Sequence, residues 1–135
     1  LQTFLPYPDF KASAECLDYQ RLGCQRKEVV QILNRDFPHH PAVKMWQGHE
    51  YALIAYGLCV IQEWEARGYK NNISLIPFMK RFKDTSMADP HWMGDTAFHD
   101  SHKSNLLRKF PEYYNRYGWT VSDDLPYVWP KELTR

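Results

Sequence analysis

Residues 49–67 read HEYALIAYGLCVIQEWEAR. From Tyr51 to Ile61 apolar side chains fall almost all round the helical wheel, and a helix of that kind is a buried one. The stretch therefore predicts the central helix of a bundle. Gly57 in its middle costs about 1 kcal/mol in helix propensity, which predicts a close neighbour. Gly68 is a suitable C′ residue to end it. Trp46, Tyr56 and Trp64 read as core aromatics. The apolar run is far short of the ~20 residues that a membrane span needs.

Residues 21–33, RLGCQRKEVVQIL, form a second helix with a different logic. Leu22, Val29 and Leu33 share one line, flanked by Val30 and Ile32, and Arg26 lies on that same line. Arg21, Gln25 and Glu28 run along the edge of the apolar arc at i, i+4, i+7. Lys27, Gln31, Asn34 and Arg35 take the solvated face. A charge inside an apolar arc is costly to bury without a partner. Arg26 is then either a structural cation at the core edge or half of an Arg–Glu pair facing a cleft for an anionic substrate. Gly23 is expected to break or bend the chain ahead of this helix.

The remaining segments are shorter. Residues 1–8, LQTFLPYP, are extended, because Pro6 and Pro8 remove donors and restrict their neighbours. Phe4, Leu5 and Tyr7 should pack across helices. Asp9 is a candidate N-cap for a helix through Leu17. The second helix should end between Asn34 and Phe37, and a short helix over 42–47 should stop near Gly48. Residues 71–89 hold Pro77 and read as a short helix or an extended linker. Their basic cluster, Lys80, Arg81 and Lys83, is a solvated face or, with Phe78 and Phe82 interleaved, a nucleic-acid contact. DPHWMGD, residues 89–95, is a turn. Residues 99–114, HDSHKSNLLRKFPEYY, place Leu106, Leu107 and Phe110 on an apolar side with His99, and His102 at its edge. Ser101, Asn105 and Arg108 line the other side, and Asp100 or Ser101 can cap. The tail, residues 118–135, is aromatic and aperiodic, suited to a flap over the bundle or to lining a groove. No period-two pattern persists. The fold expected is all-α: one compact helical domain over residues 1–135, with an extended N-terminal segment and an irregular aromatic C-terminal tail.

Composition narrows the function classes. The net charge is +1, so nucleic-acid binding needs a local patch rather than a global basic field. Three cysteines without CxxC spacing point to a reducing compartment, and LQTFLPYPDF lacks the pattern of a signal peptide. A soluble cytoplasmic monomer without membrane contact is expected. No GxGxxG, P-loop, GxSxG or HExxH motif is present. His39 and His40 are weak metal evidence. His99 and His102 at i, i+3 lack an evident third ligand and read better as hydrogen-bonded histidines. Neither a metal nor another cofactor is expected. A helix start rich in Ser, His, Asn and Lys suits phosphate contact.

Five stretches carry a resemblance: TFLPYPDFKASAECLD at the start, the RLGxQRxExxQIL helix, HPAVKMWxGxExALxxYG, SHxSNLLRK and the DDLPYVWP ending. Together they resemble the bacterial branch of the pyrimidine dimer DNA glycosylase (endonuclease V-like) family over nearly the whole chain. The resemblance implies a DNA-repair glycosylase with abasic-site lyase activity on double-stranded DNA carrying a damaged base or an abasic site. In that family a terminal α-amine attacks C1′ and forms a Schiff base, a Glu assists, and arginines hold the kinked backbone. An α-amine titrates near pH ~7.7–8.0, so it can be a neutral nucleophile without an activating triad. Carried over, Leu1 bears the amine, at the initiator position or at a processed terminus. Glu28 is the carboxylate and Arg26 the nearby cation. Arg21, Gln25, His102, Lys103, Ser104, Asn105 and Arg108 are the DNA contacts. Two departures stand out: Lys27 lies between Arg26 and Glu28, which are adjacent in the family's phage pattern, and Cys24 stands where the bacterial pattern has Lys.

Two other classes compete. One is a non-catalytic nucleic-acid or nucleotide-binding domain on the same scaffold. The other is a metal-dependent hydrolase using His39, His40, His91, His99 and His102. The glycosylase reading requires Glu28 and Arg26 to face a groove shared with residues 1–3 and with His102 or Asn105.

Overall fold

Aspartate caps set where three of the helices begin. Asp9, in extended backbone, accepts from Ala12 N at 2.7 Å and opens α1, Phe10–Cys16. Asp18 caps α2, Tyr19–Asn34, and Asp95 caps α6, Thr96–Lys109. Between them lie α3, Pro41–Lys44, α4, Glu50–Ala66, and α5, Ile76–Arg81. The one-turn helix α7, Pro111–Tyr114, and a 3₁₀ turn, Asn115–Tyr117, follow α6. These elements come from a computed structural model that describes residues 1–130; residues 131–135, the end of the expected tail, lie outside the described residues. The protein is all-helical, with no strand among the described residues, and none of their helices is long and apolar enough to cross a membrane.

α4 is the central helix, with α1, α2 and α5 packed on it. Leu53, Ile54, Tyr56, Val60, Ile61 and Trp64 are buried. Burial is not all round, however: Ala55 and Leu58 face solvent, because these three helices leave that edge uncovered. Gly57 has the close neighbours its position predicts. A Cβ there would lie 2.8 Å from Leu75 Cδ1 and 3.0 Å from Val29 Cγ1. Glu50, itself buried, accepts from Gly48 N and pairs with Arg35 at 3.1 Å, tying the start of α4 to the left-handed cap of α2.

Several sequence expectations are corrected. Gly23 does not bend the chain; α2 runs straight through it. Its missing Cβ instead admits the Trp64 ring, which would lie 3.1 Å away. The Pro77 stretch, by contrast, takes the short-helix alternative, with Pro77 in the first turn of α5, where a missing N–H costs nothing. α6 starts three residues early, at Thr96, capped by Asp95 rather than by Asp100 or Ser101. Its orientation differs most. His99 and Leu106 point inward as expected, but so do Ser101, His102, Ser104 and Asn105, whereas Leu107 is half-buried and Phe110 is exposed. The periodicity of a few leucines misses this, because a polar face can be buried when irregular backbone lies against it and needs partners. That backbone comes from the N-terminal segment and the tail. Trp119 stacks on Tyr114 at 5.7 Å and donates from Nε1 to the Tyr7 hydroxyl at 2.9 Å.

Candidate functional site

Residues 1–5 run between α2, α4 and α6 without a strand partner, so side chains satisfy their backbone. Gln25 supplies most of the latch. Its Oε1 accepts from Phe4 N at 3.0 Å, and its Nε2 donates to Gln2 O at 2.7 Å and to Glu28 Oε2 at 2.8 Å. The buried Tyr56 hydroxyl lies 2.9 Å from Phe4 O and 2.6 Å from Gln25 Oε1. Trp46 Nε1 donates to Thr3 Oγ1 at 3.1 Å.

Two histidines one turn apart on α6 grip Leu5. Gly94 N donates to His99 Nε2 at 2.9 Å, so the proton sits on Nδ1 and is donated to Leu5 O at 2.7 Å. His102 has the opposite tautomer: its Nδ1 accepts from Leu5 N at 2.8 Å, which leaves Nε2–H buried without a partner, with the Tyr127 ring edge-on at 5.5 Å. Complete burial pushes His102 down to about 3, and burial lowers His99 as well, so both stay neutral at ordinary pH.

The latch and the clamp together set the position of the first residue. Leu1 N lies 3.6 Å from Glu28 Oε1, and Gln2 N donates to the same oxygen at 3.3 Å. This pair sits in a groove of about 390 Å³ that also takes in Gln20, Arg21, Cys24, Lys109 and Tyr127. The groove thus joins an amine, a carboxylate, two long cations, a thiol and a phenol. Burial pushes the Tyr127 hydroxyl up to about 12, so it remains a donor. His40 is held below its ordinary value by burial and then by the positive N-terminus.

Among the sequence-predicted residues, Leu1, Arg21, Gln25 and Glu28 come together here. Arg21 also pairs with its own helix cap, Asp18, at 3.1 Å. Arg26 does not join them, contrary to the groove expected for it. Its guanidinium lies over the Trp64 ring at 4.3 Å and donates to Asn71 Oδ1, because two residues along a helix turn a side chain by about 200°. His102, Ser104 and Asn105 are buried and engaged internally rather than presented to solvent. Ser104 Oγ accepts from Leu125 N at 2.9 Å, and Asn105 donates to Ser101 O and Leu125 O. Arg108 is exposed yet donates to Asp123 O and to Asn105 Oδ1. Lys103 lies over the Tyr7 ring at 5.3 Å. Sequence reasoning missed Lys109 and the His99–Leu5 contact, whereas Tyr127 belongs to the aromatic tail for which lining a groove is one of two expected roles. The i, i+3 spacing did mark His99 and His102 as a pair, and both are hydrogen-bonded. Among the described residues no three His, Cys, Asp or Glu side chains converge as metal ligands.

The family model for pyrimidine dimer DNA glycosylases matches residues 1–77, the span that carries the N-terminal segment, α2 and α4. The chain belongs to that family. No curated protein and no solved structure matches it. Family membership gives this glycosylase a general role in DNA repair, acting on DNA with damaged bases. It also gives the groove a context, since Leu1, Arg21, Gln25 and Glu28 all fall inside the matched span.

Proposed function

We propose that this glycosylase excises damaged pyrimidines through the Leu1 α-amine and then cleaves the strand as an abasic-site lyase, acting as a cytoplasmic monomer. The observation that carries this is the 3.6 Å approach of Leu1 N to Glu28 Oε1 in an open groove. Glu28 takes a proton from the ammonium. The neutral amine attacks C1′, and the N-glycosidic bond breaks, its electron pair leaving with the base, which is then protonated. Opening of the sugar ring gives an iminium whose positive charge Glu28 faces. Loss of a C2′ proton expels the 3′-phosphate, and water releases the amine. The target base or its partner must leave the stack for C1′ to reach the amine. Arg21 and Lys109 hold backbone phosphates at its rim, with Lys103 and Arg108 further along α6. Gln25 and His102 act by positioning the first residues, and Ser104 and Asn105 by holding the tail. The three cysteines are unpaired, which suits a reducing compartment.

Borohydride trapping on an abasic-site duplex tests the mechanism. A covalent adduct is expected, mapping to Leu1 in a chain whose N-terminal sequence and intact mass show a free amine. Glu28→Gln should lower incision by about 10²–10⁴-fold. No adduct at excess enzyme would sink the mechanism. Salt-dependent DNA binding that survives Glu28→Gln with no chemistry to lose would favour the non-catalytic alternative.

A further inference from the structure

The side of α2 that carries Arg26 is unexplained by the groove. Arg26 is only 7% exposed, yet it has no ion pair among the described residues, and its Nε is buried without a partner. A buried guanidinium without a counter-anion is costly, and the Trp64 face and the neutral Asn71 Oδ1 offset that only in part. Outside it stand two aromatics that the core does not need. Tyr19, 53% exposed, stacks on Trp64 at 5.4 Å and 22°. Tyr69, 40% exposed, lies 4.9 Å from Tyr19 and 4.5 Å from Trp64. Tyr19, Arg26, Lys27 and Trp64 line a recess of about 260 Å³. Gln20 and Cys24 line both this recess and the Leu1–Glu28 groove, so the two are neighbours across α2.

We propose that this recess binds one nucleotide of the DNA strand flanking the lesion, its phosphate on Arg26 and its base against a shelf formed by Tyr19, with Tyr69, tilted 56° to it, at the edge. The chemistry selects a nucleotide because a guanidinium fork matches phosphate oxygens, while any base offers a flat face to an aromatic. Lys27 at the rim adds positive charge. The shelf rests on the DNA reading of the groove but not on the amine mechanism. It grips the strand beside the reacting nucleotide and leaves the chemistry to Leu1 and Glu28.

Fluorescence anisotropy with a labelled duplex holding a tetrahydrofuran abasic analogue tests it. Tyr19→Ala and Tyr69→Ala should each weaken binding about tenfold, and Tyr19→Phe should not. Arg26→Met should lower the slope of log Kd against log salt by about one, melting curves confirming that it folds. A 2-aminopurine placed beside the lesion should be quenched by wild type and not by Tyr19→Ala. Both alanine variants binding within twofold of wild type would overturn the shelf while leaving the groove intact. A wild-type protein that binds no such duplex would overturn the DNA reading beneath both.

Discussion

α4 and α6 bury opposite chemistries. α4 buries Leu53, Ile54, Val60 and Ile61, and it admits Val29 and Leu75 closely by lacking a side chain at Gly57. α6 presents His99, Ser101, His102, Ser104 and Asn105, and each meets backbone that has no helix or sheet of its own. Leu5 is gripped by the two histidines, Val128 N donates to Ser101 Oγ, and Leu125 N donates to Ser104 Oγ. One helix holds other helices by filling volume; the other stands in for the sheet ladder that extended segments would otherwise require. The second kind of packing, together with Gln25 of α2 and the Tyr56 hydroxyl of α4, places the N-terminal residues, and with them the candidate site. The family match covers α4 and stops short of α6, so the matched span holds Leu1 and Glu28 while His99 and His102, which grip Leu5, lie beyond it.

The contrast can be broken by substitution. The largest effect belongs to the apolar helix: Leu53→Ala should cost about 2–5 kcal/mol in chemical denaturation, with incision per folded molecule preserved. An equal loss of activity in the remaining folded fraction would erase the distinction. Next comes His102→Leu, which removes the acceptor for Leu5 N and should cost about 1–3 kcal/mol at neutral pH. It should also slow incision more than it lowers Tm, because the first residues lose their anchor.

The same substitution sharpens the contrast through pH. The folded value of His102 is depressed to about 3 against an ordinary value near 6.5, so the unfolded chain binds the proton first. Its contribution is whole above pH ~6.5 and is lost as pH falls toward about 3, with His99 shifted in the same direction. Wild-type Tm should therefore fall through that window, and the acid limb of His102→Leu should be shallower. An unchanged acid limb would show that the carboxylates, not the clamp, set acid stability. The smallest effect is Ser104→Ala, which frees Leu125 N at a cost of about 1 kcal/mol and should loosen the tail, read as faster chymotryptic cleavage after Tyr127.

By itself the sequence determined what repeats along a helix. The apolar run of α4, the Asp9 cap, the end of α2 and the all-helical class follow from local periodicity and capping, and each is present. So is the Arg21–Gln25–Glu28 edge, whose spacing puts three polar side chains on one line. The tertiary structure alone decided what those side chains touch. Arg26 and Glu28 are two residues apart and read as a pair, but they face different partners, Trp64 in one case and Leu1 in the other. His102 looks like a surface contact until Leu5, 97 residues away, comes to lie on it. A helix wheel fixes direction, whereas burial and partners depend on which distant backbone needs its hydrogen bonds filled, and no local pattern records that.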